Sequence, residues 1–193
     1  MLDWLDQIDK HLFLFFNAMH SPVSDNIWLW VTNISTWIPL YIFFFIIIIK
    51  VFKKDSVYVI AGLLLVVLIS DQFTSSFMKP FFGRLRPCHD AEIGHLVHVV
   101  NNCGGKFGFA SGHAANSFGI AMYIWLFFKS YWKWTWLLFI WAIAVAVSRI
   151  MVGVHYPGDI LIGGLTGAFF GWLIMVLTNE IYFRIKLEPL IKN

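Results

Sequence analysis

Five apolar stretches of about 20 residues limit the folds open to this chain, because stretches of that length cross a lipid bilayer as helices. They cover residues 27–49, 57–78, 111–128, 134–152 and 159–178. Of the 193 residues, 59% are apolar and only 13% are charged, which is far from the usual composition of soluble domains. We therefore predict an all-α, polytopic membrane helical bundle that forms one integral-membrane domain over residues 1–193.

The basic residues predict how the bundle is oriented, because lysine and arginine collect on the cytoplasmic side of membrane proteins. They follow the first, third and fifth stretches, at Lys50, Lys53, Lys54, Lys129, Lys133, Arg184, Lys186 and Lys192. With five spans, all of these positions fall on one side. The loop 79–109 and the turn at 153–158 then face outward, which in a bacterial inner membrane is the periplasm. The net charge is only +3, and the basic residues lie at the ends of the spans. We therefore expect membrane lipids rather than nucleic acid as partners.

The first twenty residues alternate apolar and acidic positions with helical spacing. Their apolar members are Trp4, Leu5, Ile8, Leu12, Phe15, Phe16 and Met19. This pattern predicts an amphipathic helix that lies at the membrane interface. A short sixth span is the alternative.

Three polar clusters lie at the outward ends of the stretches. The first and third provide Lys79, Arg86 and Arg149, and cations of this kind bind phosphate oxygens. Ser111 and Gly112 open the third stretch, and the N-terminus of a helix attracts anions. Each cluster alone is also explained by snorkelling side chains and helix caps. Their occurrence on one face favours a site that holds a tetrahedral anion.

His155 and Asp159 are four residues apart, with Pro157 and Gly158 between them. At that spacing Asp159 can reach the His155 ring and fix its tautomer, which leaves the other ring nitrogen free to attack an electrophile. A helix-start aspartate beside an interfacial histidine is the alternative. For Arg84, in the first cluster, we expect only a snorkelling role.

Taken together, the clusters resemble the three-part signature of the type-2 phosphatidic acid phosphatase superfamily, whose site is similar to that of vanadium-dependent haloperoxidases. The matching positions are Lys79, Arg86 and Pro87, then Ser111, Gly112 and His113, then Ser148, Arg149, His155 and Asp159. Ala110 stands where the family usually has proline. The resemblance implies a helical membrane enzyme that dephosphorylates lipid phosphates without a metal or other cofactor.

Residue roles follow from the same resemblance. It implies that His155 is the nucleophile, oriented by Asp159, and that His113 is the general acid. It also implies that phosphate is held by Lys79, Arg86, Ser111, Gly112 and Arg149. We expect Asp71 and Ser148 to contact these groups and hold them in place without touching the phosphate themselves.

The two cysteines, Cys88 and Cys103, lie in the predicted outer loop, where an oxidising compartment favours a disulfide. Free thiols, or a zinc site with nearby histidines, are the alternatives. In the fifth stretch Gly163, Gly167 and Gly171 recur every four residues, which permits close helix packing. We expect packing within the monomer, with a homodimer face as the alternative.

The predicted reaction is removal of a terminal phosphate from a lipid phosphate through a phosphohistidine. Our first choice of substrate is a polyprenyl (undecaprenyl) diphosphate of the cell envelope. The alternatives are phosphatidic acid, phosphatidylglycerol phosphate or lipid A as substrate, and a lipid phosphotransferase as reaction class. A non-catalytic lipid-phosphate binder or a small transporter is the alternative from another class.

Overall fold

Eight helices contain most of the residues that the computed structural model describes, which are 2–187 and 190. Lys192 lies outside the described residues. The helices are α1 Leu2–Asn17, α2 Pro22–Thr32, α3 Ile38–Phe52, α4 Ser56–Gln72, α5 Lys79–Phe82, α6 Gly112–Phe128, α7 Leu137–Met151 and α8 Pro157–Lys186.

Three helical stretches of the described chain are long and apolar enough to cross a membrane: Ile34–Phe82, Lys133–Met151 and Pro157–Lys186. The first contains both α3 and α4, which are separated by a short turn and pack on each other. The remaining predicted span is α6, a helix of 17 residues. The predicted apolar stretches are therefore helical over most of their length, and the chain is a membrane helical bundle.

The first predicted span, 27–49, is wrong in detail because it is not one helix. The helix α2 ends at Thr32, and Asn33 adopts an extended conformation with φ −77° and ψ 122°. The Asn33 side chain then caps a 3₁₀ turn, Ile34–Trp37, before α3 begins. An asparagine side chain that bonds to nearby backbone competes with helical bonding. The break separates α2 from α3, and α2 packs against α7.

Close approach of α6 and α8 organises the centre of the bundle. A Cβ on Gly163 would lie 2.5 Å from the Ser111 carbonyl oxygen, and one on Gly167 would overlap the Ala115 carbonyl. Gly171 lies equally close to the backbone of Gly119. The three-glycine face is therefore buried against α6 within the monomer, as expected from the spacing, and any homodimer through it would have to displace α6.

The helix α1 lies across the end of the bundle where α7 finishes and α8 begins. Near its middle, Asp9 accepts a hydrogen bond from the Gly158 backbone N–H at 2.7 Å. At its end, Asn17 exchanges hydrogen bonds with the backbone of His98 at 2.8 and 3.0 Å. Its outward face is apolar and exposed, at Trp4, Leu5, Ile8, Leu12, Phe15 and Phe16. This placement favours the interfacial helix over a sixth span.

Candidate active site

The three predicted polar clusters meet at one cavity of about 540 Å³, enclosed by α3, α4, α6 and α7. We call it the site cavity. Its polar end is lined by the sequence-predicted residues Asp71, Lys79, Arg86, Gly112, His113, Arg149 and His155. Ser111, Ser148 and Asp159 do not line it. Most of the remaining lining is aromatic or aliphatic and includes Trp37, Tyr41, Phe44, Leu63, Ile124 and Trp141.

His155 and Asp159 form a buried pair at the start of α8. The His155 Nδ1 atom lies 3.2 Å from Oδ2 of Asp159, and their side chains are 3% and 0% exposed. The same carboxylate oxygen accepts the Tyr156 backbone N–H at 3.0 Å. A carboxylate at Nδ1 makes that atom the protonated one, so Nε2 keeps a free lone pair beside the cavity. Burial lowers the pKa of His155 to about 4, which keeps the ring neutral at ordinary pH.

Three cations surround the polar end of the cavity. Arg86 is held by the loop, because its Nη1 donates to the Cys103 carbonyl at 2.7 Å. Arg149 donates from Nη1 to the Thr32 hydroxyl at 2.6 Å, and its buried Nε has no partner in the described chain. The Lys79 ammonium group makes no hydrogen bond or ion pair with any described residue, whereas its backbone carbonyl accepts the Gly83 N–H at 3.0 Å. All three cations therefore keep donors available for an anion, since Arg86 bonds to the described chain only through Nε and Nη1.

A π-helical segment, Phe73–Met78, places Lys79 at the cavity. It joins α4 to α5 without a break, and its Thr74 hydroxyl donates to the Ser70 carbonyl at 2.9 Å. Insertions of this kind in an α-helix change the direction of the following side chains and often occur at functional sites. Asp71 precedes the segment and itself lines the cavity, which differs from the expectation that it would lie outside the site and support its cations.

The start of α6 contributes backbone and one imidazole. Gly112 is the first residue of the helix and His113 the second, and both line the cavity. The Ser111 side chain is fully buried, its hydroxyl has no partner among the described residues, and its backbone N–H donates to the Asp159 carbonyl at 3.0 Å. Ser148 is turned away, because its hydroxyl donates to the Val145 carbonyl at 2.6 Å.

The loop between α5 and α6 is closed by a bond between Cys88 and Cys103, whose Cα atoms are 6.1 Å apart. The bond occupies both sulfurs, so they are not available to a zinc ion. It closes a loop with a sequence separation of 15 residues, next to the carbonyl that holds Arg86. The bond therefore supports one wall of the site.

We predict that Cys88→Ser combined with Cys103→Ser weakens phosphate binding. Without the bond, the Cys103 carbonyl and Arg86 lose their fixed position, and the unfolded state gains about 3 kcal/mol of chain entropy. The expected result is a raised KM with a smaller change in kcat, together with a lower unfolding temperature. Wild-type protein in reductant is the matched comparison. An unchanged KM and an unchanged unfolding temperature would show that the loop does not need the bond.

Arg84 is where the sequence-based expectation is wrong. It does not snorkel, because its Nη1 donates to Asp159 Oδ1 at 3.0 Å and to Asp9 at 2.7 Å, and its Nη2 donates to Asp6 at 3.0 Å. The guanidinium also lies 4.1 Å from the centroid of the Tyr156 ring. One feature of the sequence could have indicated this role. Asp6 and Asp9 of α1 have only Lys10 as a basic neighbour in sequence, so a more distant cation was needed to pair with them.

Comparisons with known proteins find relatives over most of the chain. The PAP2 superfamily profile matches residues 60–183. A lipid A 4′-phosphatase from Bacteroides thetaiotaomicron is 38% identical over 189 residues, which is 96% of this chain and 84% of that protein. A lipid A 4′-phosphatase from Porphyromonas gingivalis is 34% identical over 90% of this chain and 74% of that protein.

Two solved structures share the fold. LpxE from Aquifex aeolicus superposes with a TM-score of 0.66 at 25% identity, covering 86% of this chain and 93% of that one. A PAP2-type phosphatidylglycerolphosphate phosphatase from Bacillus subtilis gives a TM-score of 0.71 at 20% identity, covering 92% and 87%.

Proposed function

The chain belongs to the PAP2 superfamily and is a membrane phosphatase of lipid phosphates, and from this premise we propose that it removes the 4′-phosphate of lipid A by way of a phosphohistidine at His155. The observation that carries the chemistry is the buried His155–Asp159 pair, which opens on a cavity that is cationic at one end and apolar along the rest. Similarity over nearly the whole chain to two lipid A 4′-phosphatases supports the substrate.

In the first step the phosphoryl group is held by Lys79, Arg86 and Arg149, with the start of α6 at Gly112 nearby. The Nε2 lone pair of His155 attacks phosphorus, and the bond from phosphorus to the sugar oxygen breaks. The leaving oxygen takes a proton from His113. Asp159 accepts the Nδ1–H of His155 and stabilises the charge that develops on the ring.

In the second step His113 takes a proton from water, and the resulting hydroxide attacks phosphorus. The bond from phosphorus to Nε2 breaks, inorganic phosphate leaves, and the His155 ring recovers its lone pair. The three cations supply the positive charge that a metal ion would otherwise provide. Among the described residues that line the cavity, Asp71 is the only carboxylate. We therefore propose a mechanism in which these cations take the place of a metal.

The relatives favour lipid A over our first choice from sequence. The chain is similar over most of its length to proteins named for lipid A, whereas no relative described above is named for a polyprenyl diphosphate. Lipid A was among the alternatives that the sequence left open. The complete set of site residues disfavours a non-catalytic binder or a transporter.

The test is phosphate release by purified protein from a panel of lipid A, phosphatidic acid, phosphatidylglycerol phosphate and undecaprenyl diphosphate, in excess chelator. We expect the highest kcat/KM on lipid A, with mass spectrometry showing loss of the 4′-phosphate and retention of the 1-phosphate. Preference for another lipid would overturn the substrate. Activity that is lost in chelator and restored by magnesium would overturn the metal-free mechanism.

We also propose that the site faces the periplasm from the bacterial inner membrane. The predicted cytoplasmic turns and the site lie at opposite ends of the helices. Gly112 and His113 are the first two residues of α6, whereas Lys129 and Lys133 flank the turn that follows its last residue. The end with the basic turns is expected to remain in the cytoplasm.

Cysteine labelling in intact cells tests this orientation. In a background without Cys88 and Cys103, a membrane-impermeant thiol reagent should react with a cysteine at Asn101 and not with one at Ser130. Asn101 and Ser130 are both exposed and lie at opposite ends of the bundle. The reverse labelling pattern would put the site in the cytoplasm.

A further inference from the structure

The second carboxylate oxygen of Asp159 has a partner that the proposed mechanism does not use. While Oδ2 serves the His155 ring and the Tyr156 N–H, Oδ1 accepts a hydrogen bond from Arg84 at 3.0 Å. Asp159 is fully buried, and a buried carboxylate needs a compensating charge and satisfied acceptors. A neutral His155 supplies no charge, so Arg84 is the cation bonded directly to this carboxylate.

Arg84 is in turn held by the N-terminal helix. Its Nη1 and Nη2 donate to Asp9 and Asp6, so one planar guanidinium joins two carboxylates of α1 to the carboxylate of α8. Asp9 makes a second link, because its other oxygen accepts the Gly158 N–H one residue before Asp159. The Arg84 side chain is 22% exposed, so this junction is largely shielded from solvent.

The rest of α1 is bound at the same end of the bundle. Lys10, which is 8% exposed, pairs with Asp90 at 3.3 Å and with Glu92 at 2.8 Å. Phe13 is fully buried and packs edge-on against Tyr156 at 5.5 Å between ring centroids. The polar face of α1 thus bonds to the protein around the start of α8, where His155 and Asp159 lie, while the apolar face is exposed.

We propose that Arg84 is a positioning residue, which is held by Asp6 and Asp9 of α1 and which fixes Asp159, and through it the His155 ring, for attack. The proposal rests on the proposed phosphatase function. In sequence Arg84 lies between Lys79 and Arg86, which are proposed to bind phosphate. In the structure it bonds to Asp159 Oδ1, the carboxylate oxygen that does not contact the His155 ring. Turnover then depends on α1 keeping its contacts with Arg84 and the start of α8.

A double-mutant cycle between Arg84→Gln and Asp159→Asn tests this role, with kcat and KM measured separately on lipid A. If Arg84 acts through Asp159, Arg84→Gln lowers kcat roughly 10–100-fold, by analogy with the outer partners that orient the ligands of metal sites. KM should change little, because Arg84 does not line the site cavity. In the Asp159→Asn background the same substitution should cause less than about a threefold further loss.

The matched control is Arg184→Gln, which removes an arginine from an exposed ion pair with Glu180, on the last turns of α8. This variant should match wild type. Arg84→Lys should recover only part of the activity, because an ammonium group cannot reproduce the fork of donors to three carboxylates. If Arg84→Gln does not fold, Asp9→Asn replaces it in the cycle, since an asparagine oxygen can still accept the Gly158 N–H.

Losses that multiply independently in the double variant, or an Arg84→Gln effect confined to KM, would overturn the positioning role. Wild-type protein without phosphatase activity would instead overturn the proposed function. The two failures are therefore distinguishable in the same experiment.

Discussion

His155→Ala is expected to lower kcat on lipid A by a factor on the order of 10⁶, the scale seen when a covalent nucleophile is removed. The reason is geometric: Asp159 occupies Nδ1, so Nε2 of this ring is the atom presented for attack. The other imidazole at the cavity, His113, opens α6 and is not paired with a carboxylate in the described chain. Initial rates on purified variants measure the effect.

The control is His95→Ala, which removes an exposed imidazole from the loop between α5 and α6 and should keep wild-type rates. Both variants should elute and unfold like the wild-type protein. A kcat for His155→Ala within tenfold of wild type would remove the covalent mechanism and leave His155 as a structural residue.

His113→Ala is expected to have an effect that depends on the leaving group. Cleavage of the lipid A 4′-phosphate expels a sugar alkoxide, which needs a proton, whereas cleavage of a polyprenyl diphosphate expels a phosphate monoester, a better leaving group. General acid catalysis contributes typically about 10²–10⁴-fold, and the larger share should fall on the alkoxide. The ratio of the kcat/KM losses on the two lipids measures this difference, provided that chemistry limits both reactions.

Each substrate serves as the internal control for the other, because loss of phosphate binding would affect both alike. Equal losses on the two lipids would mean that His113 binds phosphate and is not the acid. A larger loss on the diphosphate would contradict the role directly.

The membrane bundle and the core of the site were predictable because they depend on local signals. Apolar runs of span length gave the helices, and the spacing of His155 and Asp159 gave a pair that the structure joins at 3.2 Å. The turn after Thr32 was missed, because an asparagine within an apolar run is a weak signal until its side chain is seen to cap the next turn.

Arg84 was misread for a different reason. Its role depends on contacts with Asp6, Asp9 and Asp159, each separated from it by 75 residues or more. No local pattern encodes which charges meet after folding. The packing of Gly163, Gly167 and Gly171 against α6 was predicted in part. Their spacing indicated close helix packing, but it did not identify α6 as the partner helix.

The stereochemical course at phosphorus tests the central claim most directly, that the phosphoryl group passes through a histidine. A lipid substrate with a chiral, isotopically labelled thiophosphate is hydrolysed in isotopically labelled water, and the configuration of the released thiophosphate is determined. Attack by His155 followed by attack by water gives two inversions, so we predict overall retention. Net inversion would show that water attacks the lipid phosphate in a single step, and it would contradict the phosphohistidine mechanism.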